Sequence, residues 1–221
     1  MTGSAQAEPT LLFGATRGVG LALARRLRER GAPVTALVRP GSPRTELDAL
    51  GVEVVVGDAL DAADVARAVA RLPPGGHVVS TLGPHGREDA PIDDVGHATI
   101  IAALRSAAPR RFVLVTSIGC GEMAPHRSAR VEAMLGPVLD RKTRAEEALR
   151  ASGLPFTLVR PGGLRDGPAT GRGELRAEPD THGMIRREDV AELVLRVLDD
   201  PDLIGQARAA IDPGEALPPG M

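Results

Sequence analysis

The sequence predicts an α/β protein with a doubly wound parallel sheet and helices on both of its faces. Short runs rich in β-branched residues alternate with longer segments of helical periodicity over most of the 221 residues. Several runs are apolar throughout, as expected for strands that are covered on both faces. The connections are short, which favours parallel strands and right-handed crossovers. We interpret residues 1–221 as one domain.

Six strands and six helices are predicted in alternation. The strands are 10–13, 34–38, 52–56, 77–81, 111–116 and 156–159, and the helices are 21–30, 44–50, 61–72, 93–107, 141–152 and 189–200. Gly31 and Gly153 stand where a left-handed residue ends a helix, and Asp61 stands at an N-cap position. Residues 160–185, rich in Gly, Pro and charge, are expected to form an irregular substrate-side segment, and 213–221 a frayed tail.

The composition excludes several classes of function. A net charge of −2 with dispersed arginines argues against a nucleic-acid partner. The single Cys120 excludes an internal disulfide or a cysteine-based zinc site, and no His–carboxylate spacing indicates a metal. The first ten residues lack a signal pattern and no apolar run approaches the ~18 residues that span a bilayer, so we expect a cytoplasmic protein without a membrane partner.

The turn FGATRGVG (13–20) lies between the first strand and the first helix. Gly14, Gly18 and Gly20 offer what a nucleotide diphosphate needs: a tight turn, a bare backbone to approach, and free N–H groups at a helix start. The spacing alone is also compatible with a flexible surface turn. In its strand–turn–helix setting it predicts a Rossmann-type dinucleotide site that includes Thr16, Arg17 and Val19.

The residue after the second strand decides which dinucleotide is expected. A carboxylate there would accept hydrogen bonds from the ribose 2′-hydroxyl, but this strand ends in Arg39. A guanidinium suits a 2′-phosphate, which Arg17 could also reach. We therefore predict NADP(H) over NAD(H), with a solvated strand-end charge as the alternative interpretation of Arg39.

Two further strand ends complete the predicted cofactor crevice. Asp58 and Ala59 follow the third strand, where the carboxylate could accept a hydrogen bond from the adenine amino group. Thr81, Leu82 and Gly83 follow the fourth strand and should lie near the middle of the nucleotide. A glycine and aspartate after a strand also form ordinary turns.

These motifs resemble the short-chain dehydrogenase/reductase superfamily over residues 10–212, in the atypical NAD(P)-binding branch with NmrA-like proteins and the biliverdin reductase B/flavin reductase type. VLVTSIG (113–119) is similar to the motif with the active-site serine, and RKTRAEEALRASGLPFTLVRPGGL (141–164) to the lysine helix, strand and Arg-Pro-Gly turn near nicotinamide. THGMIRREDVAELV (181–194) is similar to the closing motif of the branch. The resemblance implies roles for Ser117 and Lys142 in catalysis and cofactor binding, and for Pro161 and Gly162 beside the cofactor.

The usual acid/base tyrosine is missing. Its position, four residues before Lys142, is Val138, and the chain contains no tyrosine. Members of the biliverdin reductase B type are understood to work without it, because hydride transfer to a conjugated acceptor can take its proton from solvent. Ser117 could bind a substrate oxygen or merely cap its strand.

The histidines and the cysteine are the remaining candidates for proton transfer. His126, in the loop after Ser117, ranks first, followed by His85 and His182 in other loops. His77 and His97 are expected at a strand start and on a helix face. Cys120 could face the site or be a buried, inert thiol.

Three functions remain open. The first is an NADP(H)-dependent reductase of a small, flat or conjugated molecule, held by Leu, Met, Ile and Pro contacts because the chain has only three aromatic residues. The second is an isomerase, epimerase or cyclase that uses NADP without net redox change. The third is a non-catalytic NmrA-like sensor of the NADP/NADPH ratio. A small-molecule substrate is the expected partner, and a homodimer is possible.

Overall fold

The computed structural model describes residues 8–83 and 91–215. In chain order the elements are β1 (Thr10–Phe13), α1 (Gly18–Glu29), β2 (Val34–Val38), α2 (Thr45–Ala49), β3 (Glu53–Val56), α3 (Ala62–Val69), β4 (His77–Ser80), α4 (His97–Leu104), β5 (Arg111–Val115), α5 (Ala129–Arg150), β6 (Phe156–Pro161), β7 (Gly163–Arg165), β8 (Glu174–Arg176), β9 (Met184–Arg186), α6 (Arg187–Asp199) and β10 (Ala207–Ile211). A π-helical turn, Ile92–Gly96, leads into α4, and short 3₁₀ segments span Gly121–His126 and Pro201–Leu203.

The main sheet has eight strands in the order β3-β2-β1-β4-β5-β6-β10-β8. All of its pairings are parallel except that of β8 with β10. The chain runs outward from β1 to β3 on one side and from β4 onward on the other. This confirms the predicted doubly wound sheet and places a switch point, where such folds bind ligands, between β1 and β4.

Both faces of the sheet are covered, which explains the continuously apolar strands. Leu12 of β1 belongs to a core cluster with Leu23 of α1 and Val194 of α6. Leu11 and Phe13 point the other way, into a cluster built on α3, α4 and α5. Because neighbouring strand residues face opposite sides, every residue of β1 had to be buried.

The predicted helix ends are confirmed at three positions. The Asp61 carboxylate accepts hydrogen bonds from the N–H groups of Ala63 and Asp64, so Asp61 is the N-cap of α3. Gly31 and Gly153 have φ angles of +77° and +76°, the left-handed conformation that ends a helix. Across 8–83 and 91–215, no helix combines the length and apolar character needed to cross a membrane.

The lysine helix is longer than predicted. We expected it to begin at 141, but α5 begins at Ala129, with the hydroxyl of Ser128 accepting a hydrogen bond from the N–H of Val131. The helix continues through Gly136 and Pro137, residues that interrupt the helical pattern in the sequence. Tertiary packing overrides that local signal.

The segment 160–185 is more ordered than predicted. It contains the end of β6, the strands β7 and β8, and the first two residues of β9, and β7 pairs with β9 in a separate two-stranded sheet. The last strand, β10 (ARAAI), was also not predicted. Strands of three residues are too short to show a period, and alanine and arginine carry little β signal.

Candidate functional site

The glycine turn packs tightly against the end of β4. Gly14 and Gly18 have φ angles of +88° and +53°. A Cβ atom on Gly20 would lie 2.1 Å from the carbonyl oxygen of Gly14 and 2.6 Å from Oγ1 of Thr81. The hydroxyl of Thr81 donates a hydrogen bond to the Gly14 carbonyl oxygen at 3.0 Å. Gly20 is therefore required for the close packing of α1, whereas the turn presents a bare backbone on its open side.

One cavity of about 780 Å³ lies along the carboxyl ends of the strands, above the glycine turn. The predicted cofactor residues line it with one exception, Gly20, which packs beneath the turn. The lining residues from that prediction are Gly14, Thr16, Arg17, Gly18, Val19, Arg39, Asp58, Ala59, Thr81, Leu82, Gly83, Ser117, Lys142, Pro161 and Gly162. The fold thus brings together strand ends that are up to about two-thirds of the sequence apart, from Gly14 to Gly162.

Arg39 lies at the end of the cavity where the second strand stops. Its half-buried side chain makes no hydrogen bond or ion pair with residues 8–83 or 91–215. Ser42 also lines the cavity, in a turn closed by its N–H donating to the Arg39 carbonyl oxygen at 3.1 Å. We did not predict Ser42, because it sits in a Pro-Gly-Ser stretch that is typical of any surface turn.

Asp58 is positioned by local hydrogen bonds. Its Oδ1 accepts a hydrogen bond from the N–H of Leu60 at 3.1 Å, and its own N–H donates to Oδ2 of Asp64 at 2.8 Å. The N–H of Asp58 and the guanidinium of Arg67 hold the pKa of Asp64 below its ordinary value. The turn after β3 is therefore fixed by the hydrogen bonds of the Asp58 and Asp64 carboxylates, and it carries Asp58 and Ala59 into the cavity lining.

Lys142 is held by a buried carboxylate that sequence reasoning missed. Its Nζ atom lies 2.7 Å from Oδ1 of Asp93, which is fully buried in the π-helical turn before α4. The second oxygen, Oδ2, is buried without a hydrogen-bond partner in the described chain. A buried carboxylate requires a compensating charge, so the pair fixes the Lys142 ammonium at the cavity wall. In the sequence, Asp93 looks like one of two ordinary acidic residues that begin a helix.

His97 connects this pair to the end of β4. Its Nδ1 lies 2.7 Å from the carbonyl oxygen of Asp93, and its Nε2 lies 2.8 Å from Oγ of Ser80. A carbonyl can only accept, so Nδ1 donates and Nε2 accepts from the serine hydroxyl. Burial, reinforced by the Lys142 charge, lowers the pKa of His97 to about 4. The imidazole is therefore neutral at pH 7 and serves as a connector.

The structure separates Ser117 from the other reactive candidates nearby. Ser117 is half-buried and lines the cavity. Cys120 is fully buried, and its thiol donates to the carbonyl oxygen of Leu139 at 3.7 Å. Burial raises the pKa of Cys120 to about 11, so the buried and inert thiol is the correct interpretation.

The histidine ranked first is not in the cavity. His126 is exposed at the end of the 3₁₀ segment and does not line the cavity, which corrects our expectation. The chain turns away at Gly119 and Gly121, both with positive φ, and the Arg127 guanidinium anchors the segment by donating to the Gly119 carbonyl oxygen at 2.7 Å. His182 is also exposed and outside the lining, and His85 lies outside the described residues.

An apolar wall stands beside Lys142. Leu135, Val138 and Leu139 of α5 face the cavity, and Leu164 of β7 also lines it. Leu135 and Leu164 are 44% and 40% exposed, so both present apolar surface to solvent at the cavity wall. The position of the missing tyrosine, Val138, thus contributes apolar surface instead of a proton donor.

The Arg-Pro-Gly turn is fixed from beneath by a buried ion-pair network. The Arg160 guanidinium lies 2.6 Å from Oε2 of Glu146 and 2.7 Å from Oε1 of Glu122, and only 2% of the Arg160 side chain is exposed. The hydroxyl of Thr116 donates to Glu146 at 2.6 Å. Arg160 therefore has a structural role that joins α5, β5 and β6, and Ser117, Pro161 and Gly162 reach the cavity from this framework.

A family model described as NAD(P)H-binding matches residues 14–201, and the chain belongs to this family. The fold and the cavity thus define an NAD(P)-binding, Rossmann-like protein of the oxidoreductase type. ChuY, an anaerobilin reductase from Escherichia coli O157:H7, has a similar structure, with a TM-score of 0.87 and 36% identity over 95% of this chain and 100% of that chain. The match confirms the resemblance to atypical reductases of the biliverdin reductase type.

Two curated relatives bear different names. A protein called uncharacterized sugar epimerase YhfK, from Bacillus subtilis, is 30% identical over 179 residues, 79% of each chain. The NAD(P)H azoreductase of Xenophilus azovorans is 30% identical over 157 residues, which cover 69% of this chain and 47% of that protein. This chain is therefore similar both to a protein named for reduction and to one named for epimerisation.

Proposed function

We propose that this protein is an NADP(H)-dependent reductase of a flat or conjugated small molecule. The observation that carries the proposal is the division of one cavity into two ends. Arg39, Arg17 and Ser42 supply cations and a hydroxyl at one end, whereas Lys142 lies beside an apolar wall at the other. The cationic end suits the 2′-phosphate of NADP, and the apolar end suits a planar substrate.

The glycine turn fits a dinucleotide diphosphate. Its inner side is filled, because a Cβ on Gly14 would approach Oγ1 of Thr81 to 2.9 Å, but its outer side is open to the cavity. The first N–H groups of α1 have no carbonyl partner one turn earlier in the helix. The N–H groups of Gly18 and Val19, which line the cavity, can therefore donate to phosphate oxygens, with a favourable helix dipole.

The groups near Lys142 can stabilise negative charge without donating a proton from a phenol. A bound nicotinamide would supply the hydride. The Lys142 ammonium, fixed by Asp93, faces the charge that develops on the substrate, and Ser117 can donate a hydrogen bond to a substrate oxygen. Leu135, Val138 and Leu164 cover a planar substrate and exclude water from its faces, while its edge can take a proton from solvent.

The test is NADPH oxidation by the purified protein with anaerobilin, an azo dye, a flavin and a quinone as acceptors. The substrates named for ChuY and the azoreductase make the first two the leading choices. We expect turnover with at least one acceptor, and a lower KM for NADPH than for NADH. Tight NADPH binding with no oxidation by any acceptor would contradict the reductase and favour the non-catalytic sensor.

A second candidate is a sugar epimerase, favoured by the similarity to YhfK over 79% of the chain. An epimerase must remove a proton or hydride from a sugar carbon and return it, and it must also move the proton of a sugar hydroxyl. Moving that proton usually requires an acid/base group beside the lysine. That position is Val138, which argues for the reductase. Product formation from a nucleotide sugar without net NADPH loss would reverse this order.

A further inference from the structure

Arg187, the first residue of α6, lies directly against the glycine turn. A Cβ atom built on Gly18 would stand 3.5 Å from both Cδ and Nε of Arg187, and both residues line the cavity. Gly18 is also the first residue of α1, and the N–H groups at the start of a helix lack carbonyl partners within it. The Arg187 side chain therefore borders the surface on which a diphosphate would bind.

The present partner of Arg187 is Asp166, in the loop after β7. Nη1 of Arg187 lies 2.8 Å from Oδ1 of Asp166, and the two side chains are 32% and 90% exposed. An ion pair this exposed contributes little to stability. A cation in the first turn of α6 is also disfavoured by the helix dipole. Folding stability thus gives little reason for an arginine at this position. An anion bound near the starts of α1 and α6, however, would be stabilised by the positive charge of Arg187.

We propose that Arg187 binds the diphosphate of the dinucleotide, and that this contact replaces the ion pair between Arg187 and Asp166. The guanidinium offers paired donors that match phosphate oxygens, and the diphosphate carries more negative charge than one carboxylate. This inference rests on the proposed function, since it requires a nicotinamide dinucleotide in the cavity. It adds a residue to the site that neither the glycine pattern nor the family resemblance supplied.

The exchange would loosen one end of a loop on the substrate side. Further along that loop, the N–H groups of Thr170 and Gly171 donate to Asp189 at 2.9 and 2.8 Å, and Asp189 belongs to the first turn of α6. This attachment does not involve Arg187. Cofactor binding would therefore release Asp166 while the far end of the loop stays in place.

The test is calorimetric titration of NADPH into the wild type, Arg187→Gln, Asp166→Asn and the double variant. Arg187→Gln should raise Kd by about tenfold or more, because a charge-assisted contact is lost. Asp166→Asn should lower Kd by roughly two- to fivefold, because the competing carboxylate is gone. In the double variant the Asp166 change should have no effect, since it acts through Arg187.

Arg165→Gln is the matched control. Arg165 is close in the chain to Asp166 and pairs with Glu215 at 3.6 Å, but it does not line the cavity. Its loss removes the same charge and should leave Kd unchanged. Arg187→Lys, which keeps the charge without the planar fork, should give an intermediate Kd and covers the case in which Arg187→Gln does not fold.

Two results would overturn the inference alone: a folded Arg187→Gln or Arg187→Lys protein with the wild-type Kd, or an Asp166→Asn effect that is absent or equal in both backgrounds. A wild type that binds neither NADPH nor NADH would overturn the proposed function together with this inference. The two failures are therefore distinguishable by the wild-type titration.

Discussion

At the scale of single residues, the contrast between Arg39 and Lys142 is informative. Arg39 has a half-buried guanidinium with no side-chain partner in 8–83 or 91–215, whereas Lys142 is fixed by the fully buried Asp93. An unpaired cation at a cavity wall can gain an anionic ligand without losing an existing contact. A paired lysine instead holds its charge at one place. Arg39 is thus suited to binding an anionic ligand, and Lys142 to holding a positive charge at a fixed place in the cavity.

Arg39→Ala should discriminate between the two coenzymes. We expect NADPH to bind about ten- to a hundredfold more weakly, because paired charge-assisted hydrogen bonds to the 2′-phosphate are lost. NADH, which lacks that phosphate, should bind as before. Calorimetric titration of both coenzymes measures this, with Arg44→Ala as a control, since Arg44 pairs with Asp48 at 3.0 Å outside the cavity. Equal losses for NADPH and NADH would contradict the assignment.

At the scale of elements, α1 depends on the absence of a side chain at Gly20. Gly20→Ala should lower the free energy of unfolding by at least about 1–3 kcal/mol, because its Cβ would stand 2.1 Å from the Gly14 carbonyl oxygen. Coenzyme binding should weaken as well, since the turn must shift. Urea denaturation measures the first effect and calorimetry the second.

Gly83→Ala is the control for Gly20→Ala. Gly83 also lies at the cavity, but the nearest atom to an added Cβ, Nζ of Lys142, is 4.0 Å away. Its unfolding free energy should change by less than about 1 kcal/mol. Similar destabilisation by both substitutions would mean that close packing of α1 is not the reason for glycine at position 20.

The long helix α5 serves two purposes. Its second half carries Lys142 and the buried Glu146, while Leu135 and Val138 in its first half face the cavity. Gly136 and Pro137 lie between these two parts. The element that anchors the cofactor side thus also forms the proposed substrate wall.

At the scale of the whole molecule, buried histidines make stability depend on pH. Burial, with Arg110 and Arg111 nearby, lowers the pKa of His77 from 6.5 to about 4, and burial likewise lowers that of His97 to about 4. Below pH 6.5 these histidines are therefore protonated in the unfolded chain, whereas in the folded chain they stay neutral until about pH 4. The contribution of the neutral histidines to the free energy of unfolding is complete above pH 6.5 and is lost as the pH falls from 6.5 towards 4.

We expect the wild type to lose about 2 kcal/mol per buried histidine between pH 7 and pH 5. Urea denaturation at the two pH values measures the loss. His77→Gln should reduce the pH dependence of the unfolding free energy by about half, because one of the two buried histidines no longer titrates. His77 starts β4 at the opposite end of the strand from the cavity, so the substitution leaves the cavity unchanged. His126→Gln is the control, since His126 is exposed, and a pH dependence unchanged in His77→Gln would contradict the argument.

The sequence by itself determined six of the eight strands of the main sheet, β1 to β6, and the glycine turn, because both depend on local signals. A run such as TLLF is buried on both faces, and a strand–glycine–helix order needs no distant residue to be recognised. Arg39, Asp58 and Thr81 were predicted to lie near one another because the carboxyl ends of parallel strands meet at one edge. The places of Ser117 and Lys142 beside the cofactor came from the family resemblance.

Only the tertiary structure decided which side chains face one another. Asp93 and Lys142 are 49 positions apart, and Arg187 reaches Gly18 from the far end of the chain. His126 seemed near Ser117 in the sequence, yet the turns at Gly119 and Gly121 carry it to the surface. Such contacts depend on how the helices and strands are placed relative to one another. That placement is set by packing contacts spread over the whole core, so a short sequence pattern contains no information about it.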